Sequence, residues 1–450
     1  MKRLDVLLVL VAVLALTLGG LVAPAAGADD AIFPYPVHLE TLDNGLQLIV
    51  VPMPTSGLAS YWSIVRTGSR DEIEDGRTGF AHFFEHMMFR GTESMPAEQY
   101  NERMTEMGAN ANAFTTDDLT AYHLSIAAED LPQVMELEAD RFQNLSYAEA
   151  AFQTEAGAVF GEYRKALANP LFVAYEALRA EMFKEHTYGH TTIGYVEDIQ
   201  GMPTLYEYSK DFFQRFYRPD NTLLLIAGDV DPAEVIELAN RHYGDWQAGY
   251  QEPEVPQESE QTAERRIEVT YDGATLPILW VSYKGFAYEP TERLQAATGV
   301  LLELAFGETS DLYQRLVIDE QLVESIGADA QQNRDPGPID IITRVKDEEQ
   351  LETVLAALDE TIARYRKTPP TADEVDAVKS HMRYSFLLGL DTPARVAASL
   401  ARLLAVTGQF ASVETMFETL QGVTPEDVRQ AAEAYLVPER RTIVVLKGAA

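Results

Sequence analysis

The stretch Gly79-Phe80-Ala81-His82-Phe83-Phe84-Glu85-His86-Met87-Met88-Phe89-Arg90-Gly91 carries the densest chemistry of this 450-residue chain. Its pattern reads as a helix. His82 and His86 stand at i and i+4, so both imidazoles project from one face, about one turn apart. Two neutral imidazoles so placed can take two corners of a tetrahedral zinc ion at ~2.0–2.1 Å each. Glu85, one position before the second histidine, falls close enough to act on a neighbouring water without being a ligand. The order H-x-x-E-H reverses the commoner H-E-x-x-H. With 8 histidines and 71 acidic residues, chance supplies about 0.02 such matches, so coincidence is a poor explanation. Two imidazoles and a carboxylate on a helix of Phe, Met and Ala are also costly to bury unless something pairs them. A hydrolytic zinc site needs a third protein ligand and an open position for water. The chain has no cysteine, so that ligand must be His or a carboxylate.

Working outward, residues 46–52, 61–66 and 222–227 read as strands, 112–127 alternates as a strand, and a second helix is expected from Ser94. Helical patterns fill much of 130–184 and cover 205–216. The segment 251–264 is rich in Pro, Glu and Gln and nearly free of large apolar residues, which marks a linker. Beyond it the order of elements restarts with a strand at 277–283. An internal echo supports duplication: Tyr217-Arg218-Pro219-Asp220-Asn221-Thr222 with its apolar run to Gly228 returns as Pro438-Glu439-Arg440-Arg441-Thr442 with its run to Gly448. Helices and strands mix without strict βαβ alternation. The expected class is therefore α+β, with two homologous domains of mainly antiparallel sheet and packed helices, spanning 33–250 and 265–450.

The first residues read as an address. Met1-Lys2-Arg3, an apolar run over 6–16 and Ala26-Gly27-Ala28 before Asp29 form a secretory signal peptide, residues 1–28, with cleavage after Ala28. No membrane anchor is expected after that cleavage, and the protein is expected to be periplasmic or secreted. The formal charge is −36, a surface that repels phosphate backbones, so no nucleic-acid partner is expected.

The motif, its flanks and a distant glutamate resemble the insulinase/pitrilysin family of inverzincin zinc peptidases, which includes the mitochondrial processing peptidase. The resemblance runs from about residue 33 to residue 447, and the chain matches one two-domain half of the longer members, one half of a clamshell. It implies that Glu162 completes the zinc site with His82 and His86, one Zn²⁺ per chain, with Glu85 as the general base. Glu155, seven positions earlier and on the same helical face, looks like the carboxylate that orients a ligand histidine. Asn112, Ala113, Phe114 and Thr115 resemble the edge strand that pairs with the substrate backbone, a recognition mode tolerant of varied side chains. The run 186–194 is also familiar from the family, and His186 and His190 are read as loop and packing residues.

One departure matters. Full-length relatives place an Arg and a Tyr, seven apart, in the second half of the clamshell, where they hold the substrate carbonyl. By alignment on Glu320-Gln321-Leu322 those positions hold Val317 and Glu324, and neither can donate to an oxyanion. The resemblance then implies a hetero-oligomer in which a homologous subunit supplies the Arg/Tyr pair. The expected reaction is metal-assisted hydrolysis of peptides or unfolded segments. The alternative is a non-catalytic or partner-dependent structural subunit.

Overall fold

The computed structural model describes residues 31–449, so the signal peptide expected over 1–28 lies outside the described residues. In the first half, β1 (His38–Thr41), β2 (Gln47–Pro52), β3 (Leu58–Val65), β4 (Asn110–Thr115), β5 (Thr120–Ala127) and β6 (Thr222–Gly228) form a six-stranded sheet in the order β1-β2-β6-β3-β5-β4. In the second, β7 (Arg265–Tyr271), β8 (Ile278–Lys284), β9 (Val323–Ala330), β10 (Pro338–Val345) and β11 (Arg441–Gly448) form a five-stranded sheet in the order β7-β11-β8-β10-β9. Setting β1 aside, the two orders correspond strand for strand. Each contains one parallel pair, β2 with β6 and β7 with β11, and is otherwise antiparallel. Each closing strand also follows a helix and a 3-10 turn: Tyr206–Phe216 and Pro219–Asn221 before β6, Pro425–Tyr435 and Pro438–Arg440 before β11. The molecule is an α+β fold of two like halves.

Two local expectations shift. The alternating stretch 112–127 is a hairpin, because the Thr116 N–H donates to the Leu119 carbonyl at 2.8 Å and turns the chain between β4 and β5. The helix expected from Ser94 is Ala97–Glu106. Pro96 sits outside it with extended ψ of 152°, while the Thr92 and Ser94 hydroxyls are drawn to Asp140.

The apolar runs of β2, β3 and β6 reflect burial on both faces of the first sheet. One face carries the helices of its own half, including the motif helix. The other is covered by helix Pro393–Thr407 of the second half, which packs on β3 and β6. The exchange is reciprocal. Helix Pro170–Met182 of the first half lies on β7, β8 and β11, with Ala174 and Leu178 against Ile278, Trp280, Val444 and Leu446. Each half thus lends a helix to the other's sheet.

Between the halves, residues 251–262 have neither helix nor strand, yet they are strapped down. Glu258 accepts from Lys284 Nζ at 2.7 Å and from the Lys184 and Glu185 backbone N–H groups at 2.8 Å. Glu252 pairs with Arg70 and Arg334. The β9–β10 turn enters the first half here. His186 Nε2 donates to Asp335 at 3.1 Å, its Nδ1 being occupied by the Tyr188 N–H, and Arg70 Nε donates to the same carboxylate at 2.5 Å.

Burial opposes ionisation of Asp335, but the hydrogen bonds from His186 and Arg70 outweigh it and hold its carboxyl well below the usual carboxylate range. A depressed folded value gives a contribution that is present above the unfolded value of about 4 and fades as pH falls below it. Asp335→Asn is expected to lower stability at pH 7 by about 2 kcal/mol. Urea melts should show the gap between the two proteins narrowing from pH 5 to pH 3, and a gap independent of pH contradicts this account.

Candidate metal centre

The motif helix runs Phe80–Met87 and continues as a 3-10 turn, Met88–Arg90. Its start is fixed by Gly79, whose φ of 90° favours glycine. A Cβ there would also lie 2.2 Å from the Ile193 carbonyl oxygen. Glu72, buried beneath the start, accepts from the Gly79 N–H at 2.7 Å and the Ala81 N–H at 2.6 Å, satisfying donors that a helix start leaves orphaned. Phe80, Phe83, Phe84 and Met87 are fully buried, and the Tyr122 hydroxyl of β5 donates to the Phe84 carbonyl at 3.2 Å. Phe83 meets Phe152 edge-on at 5.0 Å, which seats helix Glu149–Ala166 against the motif helix. The apolar face is thereby spent on packing. His82, Glu85 and His86 are left on the opposite side, half-buried.

Helix Glu149–Ala166 brings Glu155 and Glu162 to that side. His82 Nε2 and His86 Nε2 lie 3.3 Å apart, and Glu162 Oε2 is 3.5 Å from each. Ligands at ~2.0–2.1 Å from a tetrahedral centre stand about 3.3–3.4 Å from one another, so the three atoms fit three corners of a zinc site. Their chemistry fits as well. Burial pushes the His82 imidazole down to about 4, so it is neutral near pH 7. His86 Nδ1 faces Glu155 Oε1 at 2.9 Å and donates to it, which turns the lone pair of Nε2 toward the cluster. Two imidazoles and a carboxylate that meet this closely, with acceptors directed inward, suit a shared cation.

Glu155 is buried, with its second oxygen paired to Arg90. The His86 hydrogen bond comes first among the causes that hold its carboxyl low, and Arg90 adds to it. Arg90 escaped the sequence reading. It stands at i+4 from His86, one turn farther along the same face, and that spacing was the available signal. Glu85 points beside the cluster, and its Oε2 accepts from the Thr115 hydroxyl at 2.6 Å. Burial raises the Glu85 carboxyl, while the Thr115 hydrogen bond and His86 oppose the rise.

Asn112, Ala113, Phe114 and Thr115 all lie on β4, the sheet edge, paired to β5 on one side only. Asn112 and Phe114 are exposed, and Phe114 lies edge-on to Trp62 at 6.0 Å. Thr115 reaches Glu85 itself, a contact that reading it only as part of a substrate strand does not anticipate. His186 and His190 do not join the cluster. His186 serves the contact between the halves, and His190 Nδ1 donates to the Thr191 carbonyl at 2.9 Å beside Glu72. Neither Val317 nor Glu324 offers a donor: Val317 packs against the second core, and Glu324 pairs with Arg344 at 3.3 Å.

The chain is 27% identical over 415 residues to the zinc protease PqqE of Helicobacter pylori, covering 90% of this chain and 92% of that one. The crystal structure of a protease from H. pylori superimposes with a TM-score of 0.86 at 26% identity, over 92% of this chain and 99% of that chain. The periplasmic protease PqqL of Escherichia coli shares the fold, with a TM-score of 0.74 and 21% identity. It is matched over 92% of this chain but only 48% of its own length. Residues 50–195 match the family described as insulinase (peptidase family M16), and residues 205–382 match the peptidase M16 inactive domain. With both halves of the fold so matched, the chain belongs to the M16 insulinase family of zinc peptidases.

Proposed function

We propose that the protein is an exported zinc metalloendopeptidase that hydrolyses peptides or unfolded protein segments and works with a homologous partner subunit. The observation that carries this reading is the convergence of His82 Nε2, His86 Nε2 and Glu162 Oε2 at 3.3–3.5 Å, with the Glu85 carboxylate alongside. His82, His86 and Glu162 would hold the ion, one per chain. Bound there, zinc would supply Lewis acidity toward a water and a carbonyl oxygen.

The chain's own groups do the rest. Glu85 takes the proton from the attacking water and returns it to the leaving amine. Its raised carboxyl favours both halves of that transfer, and the Thr115 hydroxyl aims the oxygen. Glu155 fixes the ring and tautomer of His86, with Arg90 behind it. The free edge of β4, from Asn112 to Thr115, offers backbone groups to an extended peptide and delivers it beside Glu85.

Two features support a partner. This fold makes up about half of the longer PqqL chain, where it stands with a further half. The positions aligned with the family's Arg/Tyr pair hold Val317 and Glu324, and neither side chain can donate to a developing oxyanion. Export is supported by the signal-like segment 1–28 and by the description of PqqL as periplasmic.

Glu85→Gln should keep its zinc, measured by plasma emission, while losing about 10²–10⁴ of the cleavage rate on a quenched peptide. Near-normal turnover at full occupancy would remove Glu85 as the base. Glu155→Gln should weaken zinc binding about 10–100-fold in chelator competition, and Arg90→Met should weaken it in the same direction. The isolated chain should bind zinc yet cleave poorly until a homologous subunit carrying the Arg/Tyr pair is added. Full turnover without it would reject the partner.

A further inference from the structure

A cavity of about 620 Å³ opens where β4 ends, bounded by Thr115, Thr116, Asp117, Tyr175, Gln332 and Arg402 among others. It begins at Thr115, the residue whose hydroxyl touches Glu85, and so adjoins the proposed scissile position. Its walls come from both halves. Tyr175 lies on helix Pro170–Met182 and Arg402 on helix Pro393–Thr407, the two exchanged helices, and Gln332 lies in the turn after β9, the counterpart of β4.

The duplication makes Arg402 informative. Both exchanged helices begin with proline, and the tenth residue of each is arginine: Arg179 in the first half and Arg402 in the second. Arg179 is buried and donates to Asp117 at 2.7 Å, Asp117 being the second residue after β4. The second residue after β9 is Gln332, a neutral amide. Among the described residues no carboxylate oxygen lies within 4.0 Å of Arg402, although the chain carries 71 acidic residues. The other arginines where the halves meet are engaged: Arg70 with Asp335, Arg334 with Glu252, and Arg66 with the Ala405 carbonyl. Asp117 is already neutralised by Arg179, and Asp329, the other acid of the lining, is exposed.

We infer that Arg402 binds a carboxylate of the substrate, the counter-charge that Asp117 gives to Arg179 and that Gln332 withholds from Arg402. This rests on the peptidase reading and adds a specificity to it: peptides with an acidic side chain, or a free C-terminus, reaching the cavity beyond Thr115 bind more tightly than neutral isosteres. A guanidinium takes a carboxylate through paired hydrogen bonds that an amide cannot reproduce. Thr115, Thr116 and Gln332 line the remaining approach with neutral polar groups.

The test measures dissociation constants by fluorescence anisotropy for the zinc-loaded Glu85→Gln protein, which binds without turnover. One peptide pair differs by Glu against Gln, with both C-termini amidated. A second pair differs only in a free against an amidated C-terminus. The acidic member of at least one pair should bind about tenfold more tightly, and the pair that responds identifies the source of the carboxylate. Arg402→Gln should abolish the difference and Arg402→Lys should keep part of it. Gln332→Asp, which rebuilds the ion pair of the first half, should also abolish it without touching the arginine. Equal binding within both pairs, or a preference that survives Arg402→Gln and Gln332→Asp, overturns the inference. Failure of the peptidase reading shows separately, as an absence of chelator-sensitive cleavage of the neutral, amidated peptides by protein that retains Glu85 and has been supplied with the homologous subunit.

Discussion

Three inward-facing acceptor atoms, two imidazole nitrogens and a carboxylate oxygen, meet at 3.3–3.5 Å in the first half of the molecule. Without a cation or proton between them their lone pairs repel, so the surrounding structure has to hold them together. An eight-residue helix cannot do this alone, because isolated helices of that length are marginal in water. It is therefore clamped. Glu72 takes two of its leading N–H groups, Tyr122 reaches the Phe84 carbonyl, and an aromatic layer of Phe80, Phe83 and Phe84 locks its rotation. Rotation is the variable that matters, since a turn of the helix would carry both imidazoles away from Glu162 together.

The second carboxylate plays a different part from the first. Glu162 is about half exposed and faces the cluster, whereas Glu155 is buried and faces the back of His86. Seven residues place both on one face of helix Glu149–Ala166, and the seating of Phe152 against Phe83 decides which of them lies over the imidazoles and which lies behind. Burying a carboxylate beside an imidazole is expensive unless both of its oxygens are used. Arg90 uses the second one. The polar chain from Arg90 through Glu155 to His86 is thus a condition for placing a strong acceptor in an apolar setting.

Much of this was legible in the sequence where the information was local. The spacing of His82, Glu85 and His86 announces one helical face, and 222–227 reads as a strand because a doubly covered strand is apolar along nearly its whole length. Glu162 lies 76 residues from His86, and no periodicity links the two; only the family resemblance singled it out. The hairpin within 112–127 was missed because Thr116 to Leu119 turns without glycine or proline. The exchange of helices was invisible for a further reason. The apolar faces of Pro170–Met182 and Pro393–Thr407 say that each covers something, but not which sheet. Nor did the composition of 251–264 reveal that Glu252 is held by Arg70 and Arg334 and Glu258 by Lys284.

That exchange bears on how a duplicated fold comes to hold one site. Two sheets of the same strand order, each roofed by the other's helix, are bound into one body, and the polar contacts of Asp335 with Arg70 and His186 set how they meet. Buried ion pairs add little net stability against well-packed apolar residues, but they penalise every other arrangement. Such contacts are well suited to fixing a relative position. The position matters because β4 and β9, the corresponding free edges, end at the same cavity, one beside Glu85 and the other beside Gln332. The first half supplies the groups that react. The second half retains the scaffold and lacks the H-x-x-E-H pair of histidines, so it is free to vary the residues that face the same space. Asp117 and Gln332, at corresponding places in that duplicated frame, are where the two halves have come apart in charge.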